Sequence, residues 1–183
     1  MSALFTRNRI IGLGLAAFIA VIDQVVKWYV IGPLSLRSVR NIELLPFFDL
    51  TYTENRGISL GMFQATSMEM RFLLVGVTAL IALVVLVWIM REKLLPDILG
   101  LALILGGAIG NIRDRWELGY VIDYADLHFR VFGDLFRPFL IFNIADAAIT
   151  IGVVIVLARS LFVSEKDERH AADTSPGGVQ TEN

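Results

Sequence analysis

Phe72 to Met90 reads FLLVGVTALIALVVLVWIM, nineteen residues without a charge. A bilayer core of about 30 Å takes ~20 residues of helix, so this run is long enough to cross it. Three further runs are apolar but interrupted. Ile10 to Ile22 is unbroken, and the pattern continues past Asp23 to Ile31. Ile98 to Ile109 holds only apolar residues and glycine, and Leu140 to Val163 closes the set. Over the whole chain of 183 residues, 56% are hydrophobic and the mean hydropathy is +0.67, too apolar for an ordinary soluble domain. The expected fold is an α-helical polytopic membrane protein with four transmembrane spans at about 9–31, 71–90, 96–114 and 140–163.

The first run follows Arg7 and Arg9, as the hydrophobic part of a signal peptide would. No small-residue cleavage pattern follows it, and DQVVKWYV carries it to membrane length, so it reads as a retained anchor. The chain has no cysteine, which removes disulfides, iron–sulfur clusters and thiol catalysis. The net charge of −2 selects no partner, and nothing points to nucleic acid. Four spans put both termini on one side. That side, with the 91–97 loop, carries seven Lys and Arg residues against nine on the other. The positive-inside rule therefore does not orient the chain.

Between the first two spans, residues 32–70 include IELLPFFDLTYTEN, whose β-branched and aromatic residues suggest short strands. NRGISLGMF follows, with two glycines suited to turns or a bulge. Residues 115–139 alternate aromatic and charged side chains, fit the membrane interface, and contain a turn signal at FGD. The tail 164–183 is polar and expected to be disordered.

The apolar runs contain polar residues at telling depths. At 1.5 Å per residue, Asp23 lies ~21 Å along the first span and Asn111 ~20 Å along the third. The fourth span runs the other way, which puts Asp146 only ~9 Å below the loop side. All three meet at one level, with Asn143 one turn from Asp146 on the same face and Asp114, Arg115 and Asp123 just outside. Such residues can simply tie helices together. Intramembrane carboxylates cost several kcal/mol, however, and mark functional sites. Gly106, Gly107 and Gly110 precede Asn111 and fit close helix packing.

Asp123 and Asp146 come from different segments at the same face. Two adjacent carboxylates do not both ionise easily, so one keeps a proton. The ionised one can activate a water, and the other can polarise a carbonyl and protonate a leaving amine. Asn111, Asn143 and Arg115 can orient the pair. Three other readings stay open. Asp114, Asp123 and Asp126 can hold Mg²⁺ for phosphoryl chemistry; Ser59 and Lys27 can form a nucleophilic dyad; Asp23 and Asp146 can relay protons in a transporter.

DQVVK, NRGISLGMF, GGAIGNIRDRWELGYVIDYADLHF and FNIADAAI, in that order, resemble the four signature segments of bacterial lipoprotein signal peptidase, the type II signal peptidase. The resemblance runs from the first span through residue 163. It implies an aspartic endopeptidase of the bacterial inner membrane, with both termini cytoplasmic and the site near the periplasmic face. It implies cleavage of diacylglyceryl-modified prolipoproteins just before the lipidated cysteine, without metal or cofactor. The family's catalytic pair falls on Asp123 and Asp146, and its supporting polar residues on Asp23, Lys27, Asn55, Gly57, Asn111, Asp114, Arg115 and Asn143. The family fold adds a small β-rich platform and an interfacial helix, matched to 32–70 and 116–139. Partners would be membrane lipids and globomycin-type inhibitors, and the chain is expected to be a monomer. Val26, Leu60, Tyr124 and Arg113 depart from the common family pattern.

Overall fold

The computed structural model describes residues 6–57, 68–131 and 134–173. Four long helices dominate: α1 (Arg7–Ile31), α3 (Met68–Arg91), α4 (Leu95–Glu117) and α5 (Ile144–Asp173). All four are long and apolar enough to cross a membrane. Their surfaces follow from that. Phe18, Val21, Leu80, Val84, Trp88, Val154 and Leu157 point outward and are each more than 45% exposed. In water such a surface would associate; against lipid chains it is solvated.

α4 packs against α1, α3 and α5 and is the most buried of the four. Its glycines make this geometry possible, as the sequence suggested. A Cβ on Gly106 would sit 2.5 Å from the Ala16 carbonyl of α1, and one on Gly107 would collide with the Ala145 carbonyl of α5. α4 thus touches two backbones at once. At the terminal end, Asn8 donates to the Lys93 carbonyl (3.0 Å) and Arg159 grips Asp97 (2.5 and 2.9 Å). At the opposite end, Arg71 of α3 donates to the carbonyls of Arg115 and Trp116 at the C-terminus of α4, where orphan carbonyls and the helix dipole favour a cation.

A three-stranded antiparallel sheet covers that opposite end, in the order β1 (Asn41–Leu45), β2 (Phe48–Asn55), β3 (Val121–Leu127). Its apolar side packs as one cluster with Val30 of α1, Leu36, Tyr52 and Tyr124. A separate two-stranded ribbon pairs β4 (Phe129–Val131) with β5 (Asp134–Phe136); the expected turn at 132–133 lies outside the described residues. The expected platform is therefore a single sheet assembled from both inter-helix segments, 32–70 and 115–139.

Three details correct the sequence reading. Beyond the end of α4, the segment expected to hold an interfacial helix instead supplies β3, β4 and β5; among the described residues the short helix on this side is α2 (Leu36–Val39). The alternation of 121–127 wins because β2 offers a partner edge. The last helix begins at Ile144, not 140, because Phe142 exchanges backbone hydrogen bonds with Ala125 and the Asn143 side chain caps the helix. Asp146 therefore lies ~3 Å along its helix, nearer the membrane face than expected. Finally, α5 continues through 164–173, where a disordered tail was expected. That stretch carries Glu165, Lys166, Glu168 and Arg169, which extend an already nucleated helix at little cost. Residues 174–183 lie outside the described set.

Candidate active site

The polar residues of the spans converge where the helices meet the sheet. Lys27 is 2% exposed and bridges Asp23 (2.8 Å) and Asp114 (2.8 Å). Burying a cation is costly unless it is paired on all sides. Here two carboxylates neutralise it, and Nζ also donates to the side-chain oxygen Oδ1 of Asn111 (3.4 Å). The carboxylates are themselves anchored to backbone. Asp23 accepts from the Ala145 amide (3.1 Å) and Asp114 from the Ile122 amide (3.1 Å). This one triad therefore fixes α1, α4, α5 and β3 to each other. Gly110 makes room for it, since a Cβ there would lie 2.5 Å from Asp23 Oδ2.

Beside the triad lie Asp123 and Asp146, joined through two amides. Asn143 Nδ2 donates to Asp123 Oδ1 (2.6 Å) and approaches Asn111 Oδ1 (3.3 Å). Asn111 Nδ2 donates in turn to Asp146 Oδ1 (2.8 Å). Asn143 Oδ1 accepts from the Asp146 amide (2.9 Å), so the residue that caps α5 also aims its first-turn carboxylate. On the far side, Asn55 Nδ2 donates to Asp123 Oδ2 (3.0 Å), and Asn55 Oδ1 accepts from the Gly57 amide (3.2 Å). Arg115 Nη2 binds the Gly57 carbonyl (3.0 Å), tying β2's end to α4.

The two carboxylates are not equivalent. Asp123 is 2% exposed, whereas Asp146 is half-buried. Burial, followed by the charge of Asp146, raises the Asp123 carboxyl from 3.8 to about 7. Asn55 and Asn143 oppose the shift without cancelling it. Burial and the neighbouring charge thus favour the protonated form of Asp123.

Asp23, Lys27, Asn55, Gly57, Asn111, Asp114, Arg115, Asp123, Asn143 and Asp146 thus form one connected centre. The alternatives disperse. Asp126 lies on the other side of β3 from Asp123; it accepts from Thr51 (3.1 Å) and pairs with Arg137 (3.1 Å). Asp114 is committed to Lys27, and among the described residues no group of three His, Cys, Asp or Glu converges on a point. Ser59 lies outside the described residues, and Lys27 is occupied by two carboxylates. Asp23 is fully buried within the triad. Of the departing positions, Val26 and Tyr124 pack in the cluster beneath the sheet, Arg113 is exposed and pairs with Glu117, and Leu60 lies outside the described set.

Sequence reasoning missed Gln24. Its Nε2 reaches Asp114 Oδ1 (2.9 Å), Asp23 Oδ2 (3.2 Å) and the Gly110 carbonyl (3.2 Å). A carboxamide beside an intramembrane aspartate was the available signal.

Fold and site together define a class: a polytopic membrane protein with linked carboxylates where helix meets sheet, the equipment of an aspartic hydrolase. A family profile described as signal peptidase (SPase) II matches residues 15–162. A lipoprotein signal peptidase of Sphingopyxis alaskensis is 52% identical over 165 residues, covering 90% of this chain and 92% of its own. One of Rhizorhabdus wittichii is 51% identical, covering 86% and 90%. Among solved structures, a bacterial membrane enzyme determined in meso at 1.9 Å is 29% identical, with a TM-score of 0.66 over 82% of this chain and 92% of that one. A second, at 2.3 Å, shares the fold (TM-score 0.70, 23% identity, 92% and 94% covered). The chain belongs to the signal peptidase II family, the lipoprotein signal peptidases, and is a membrane peptidase that removes signal peptides from prolipoproteins.

Proposed function

We propose that Asp123 and Asp146 are the catalytic dyad of this peptidase. The carrying observation is the bridge Asp123–Asn143–Asn111–Asp146, which holds two carboxylates from a strand and a helix in fixed relation. Asp146, the more open member, takes a proton from a water, which attacks the scissile carbonyl. Asp123 donates its proton to the carbonyl oxygen. The resulting tetrahedral diol collapses as the leaving amine takes the proton held by Asp146, and a hydroxyl proton returns to Asp123. Asn111 and Asn143 orient the pair, Asn55 holds Asp123 from the sheet side, and Arg115 and Gly57 fix the loop beside them. Asp23, Lys27 and Asp114 position the elements.

The substrate class comes from the family, and the depth of the pair supports it. A bond cleaved at the membrane face belongs to a chain anchored in lipid on one side, which suits a diacylglyceryl-modified cysteine just after the cut. In this reading the unit is residues 1–163, monomeric, in the bacterial inner membrane. Both termini are cytoplasmic, the sheet is periplasmic, and globomycin-type compounds inhibit.

The test is cleavage of a purified diacylglyceryl prolipoprotein, read as a gel shift. Asp146→Asn and Asp123→Asn are each expected to lower the rate at least ~10³-fold, in the range of losing an acid or base, with the protein still inserted. Chelator is expected to leave the wild-type rate unchanged. Wild-type rates from the Asp146→Asn protein would reject the dyad.

A further inference from the structure

We propose that the outer groove between α1 and α4 binds one anionic glycerophospholipid as a structural ligand. The groove has a volume of about 770 Å³, in the range of built small-molecule sites. Its walls are Val21, Val25 and Trp28 of α1 and Ile109 of α4, all on membrane-spanning helices and each more than 40% exposed. It therefore opens sideways to the bilayer, and an acyl chain is the occupant of matching chemistry for its lower half.

The upper half differs. Arg37 and Arg113 line it, and Tyr52 and Tyr120 form its rim, with their hydroxyls 3.3 Å apart. Arg40 stacks on the Tyr52 ring (5.4 Å) and Arg56 on the Tyr120 ring (5.7 Å). Two guanidinium groups thus line the mouth and two more stack on its tyrosine rim. Facing them are two carboxylates: Glu54, paired with Arg56 (2.7 Å) and Arg37 (3.6 Å), and Glu117, paired with Arg113 through Nε (2.9 Å). The local excess is positive. The Arg37 and Arg113 side chains are 60% and 55% exposed, and exposed pairs of this kind contribute about 0–1 kcal/mol. A phosphate diester can therefore replace a carboxylate partner, and guanidinium matches it in two-point geometry. Apolar walls below and arginines at headgroup level are charge-complementary to a lipid with a net negative head. The groove floor is Gln24, Lys27 and Asp114, the back of the buried triad, so an occupant here braces the α1–α4 contact. This inference rests on the membrane fold and not on the assignment of the dyad.

The test uses the full chain, delipidated in neutral detergent, with thermal unfolding as readout. Phosphatidylglycerol at ~100-fold over half-saturation is expected to raise the midpoint by about 5 °C. Phosphatidylcholine and inorganic phosphate are expected to give no comparable rise. Arg37→Gln/Arg113→Gln, at exposed positions, is expected to abolish the shift. Val25→Trp, which fills the apolar half and leaves the arginines in place, is expected to do the same. An equal shift with phosphatidylcholine, full reproduction by phosphate alone, or an undiminished shift in either variant overturns the proposal.

Discussion

Asp123 shows how one side chain links stability to chemistry. The unfolded chain ionises it near the ordinary 3.8, the folded chain only at about 7. The unfolded state therefore binds fewer protons between those values, and folding stability falls as pH rises through that window. Above about 7 the penalty is complete. Asp123→Asn is expected to unfold later than wild type at pH 8, with the gap closing towards pH 4, as read by thermal melts at each pH. The same carboxyl is the proton donor of the proposed mechanism, so kcat/KM is expected to decline about tenfold per pH unit above pH 7. A flat profile to pH 9 would remove Asp123 from that role. Lys27 makes the opposite case. Replacing it with Met leaves Asp23 and Asp114 buried together without their cation. The expected loss is about 3–5 kcal/mol, measured by unfolding in detergent, whereas Arg113→Gln on the exposed flank of α4 is expected to change stability by less than about 0.5 kcal/mol in lipid-free detergent.

Among the elements, α4 sets the site's precision. It carries Asn111, Asp114 and Arg115 on its last turns, and its position is set by glycines that let α1 and α5 touch its backbone. Gly107→Val forces α4 away from α5 at Ala145, one residue before Asp146. An overpacked contact of this kind costs about 1–3 kcal/mol, and the displacement would lengthen the Asn111–Asp146 bond. A fall in kcat larger than the rise in KM is expected, since positioning rather than binding is lost. α5 adds a second lesson: its helix begins where Asn143 caps it, and the cap itself reaches Asp123. Helix start and site geometry are one event.

At the scale of the molecule, three interfaces meet in one buried polar centre, while the outward faces stay apolar. That inversion needs an apolar surrounding, lipid or detergent, against the outward faces. The start of α1 and the 91–97 loop share the end of the helices opposite the sheet. Reporter fusions at Met1 and Asn183 are expected to share a compartment, and a fusion in the β1–β2 turn to occupy the other. Charge counting could not orient the chain because many arginines of the sheet side are spent on local structure: Arg115 on Gly57, Arg71 on α4's carbonyls, Arg56 on Glu54 and Tyr120.

The sequence by itself determined the four spans, because an apolar run of membrane length has no other stable home. It also placed Asp23 and Asn111 at similar distances along their spans, because helix rise is fixed, whereas the depth of Asp146 waited on where α5 starts. Tertiary structure alone decided that 116–139 supplies a strand to the sheet of 32–70, since strand pairing needs a partner edge that periodicity does not reveal. It alone decided that Asp123 is the acid pushed towards its protonated form. Asp123 and Asp146 look alike in sequence, and only packing buries one and leaves the other half open.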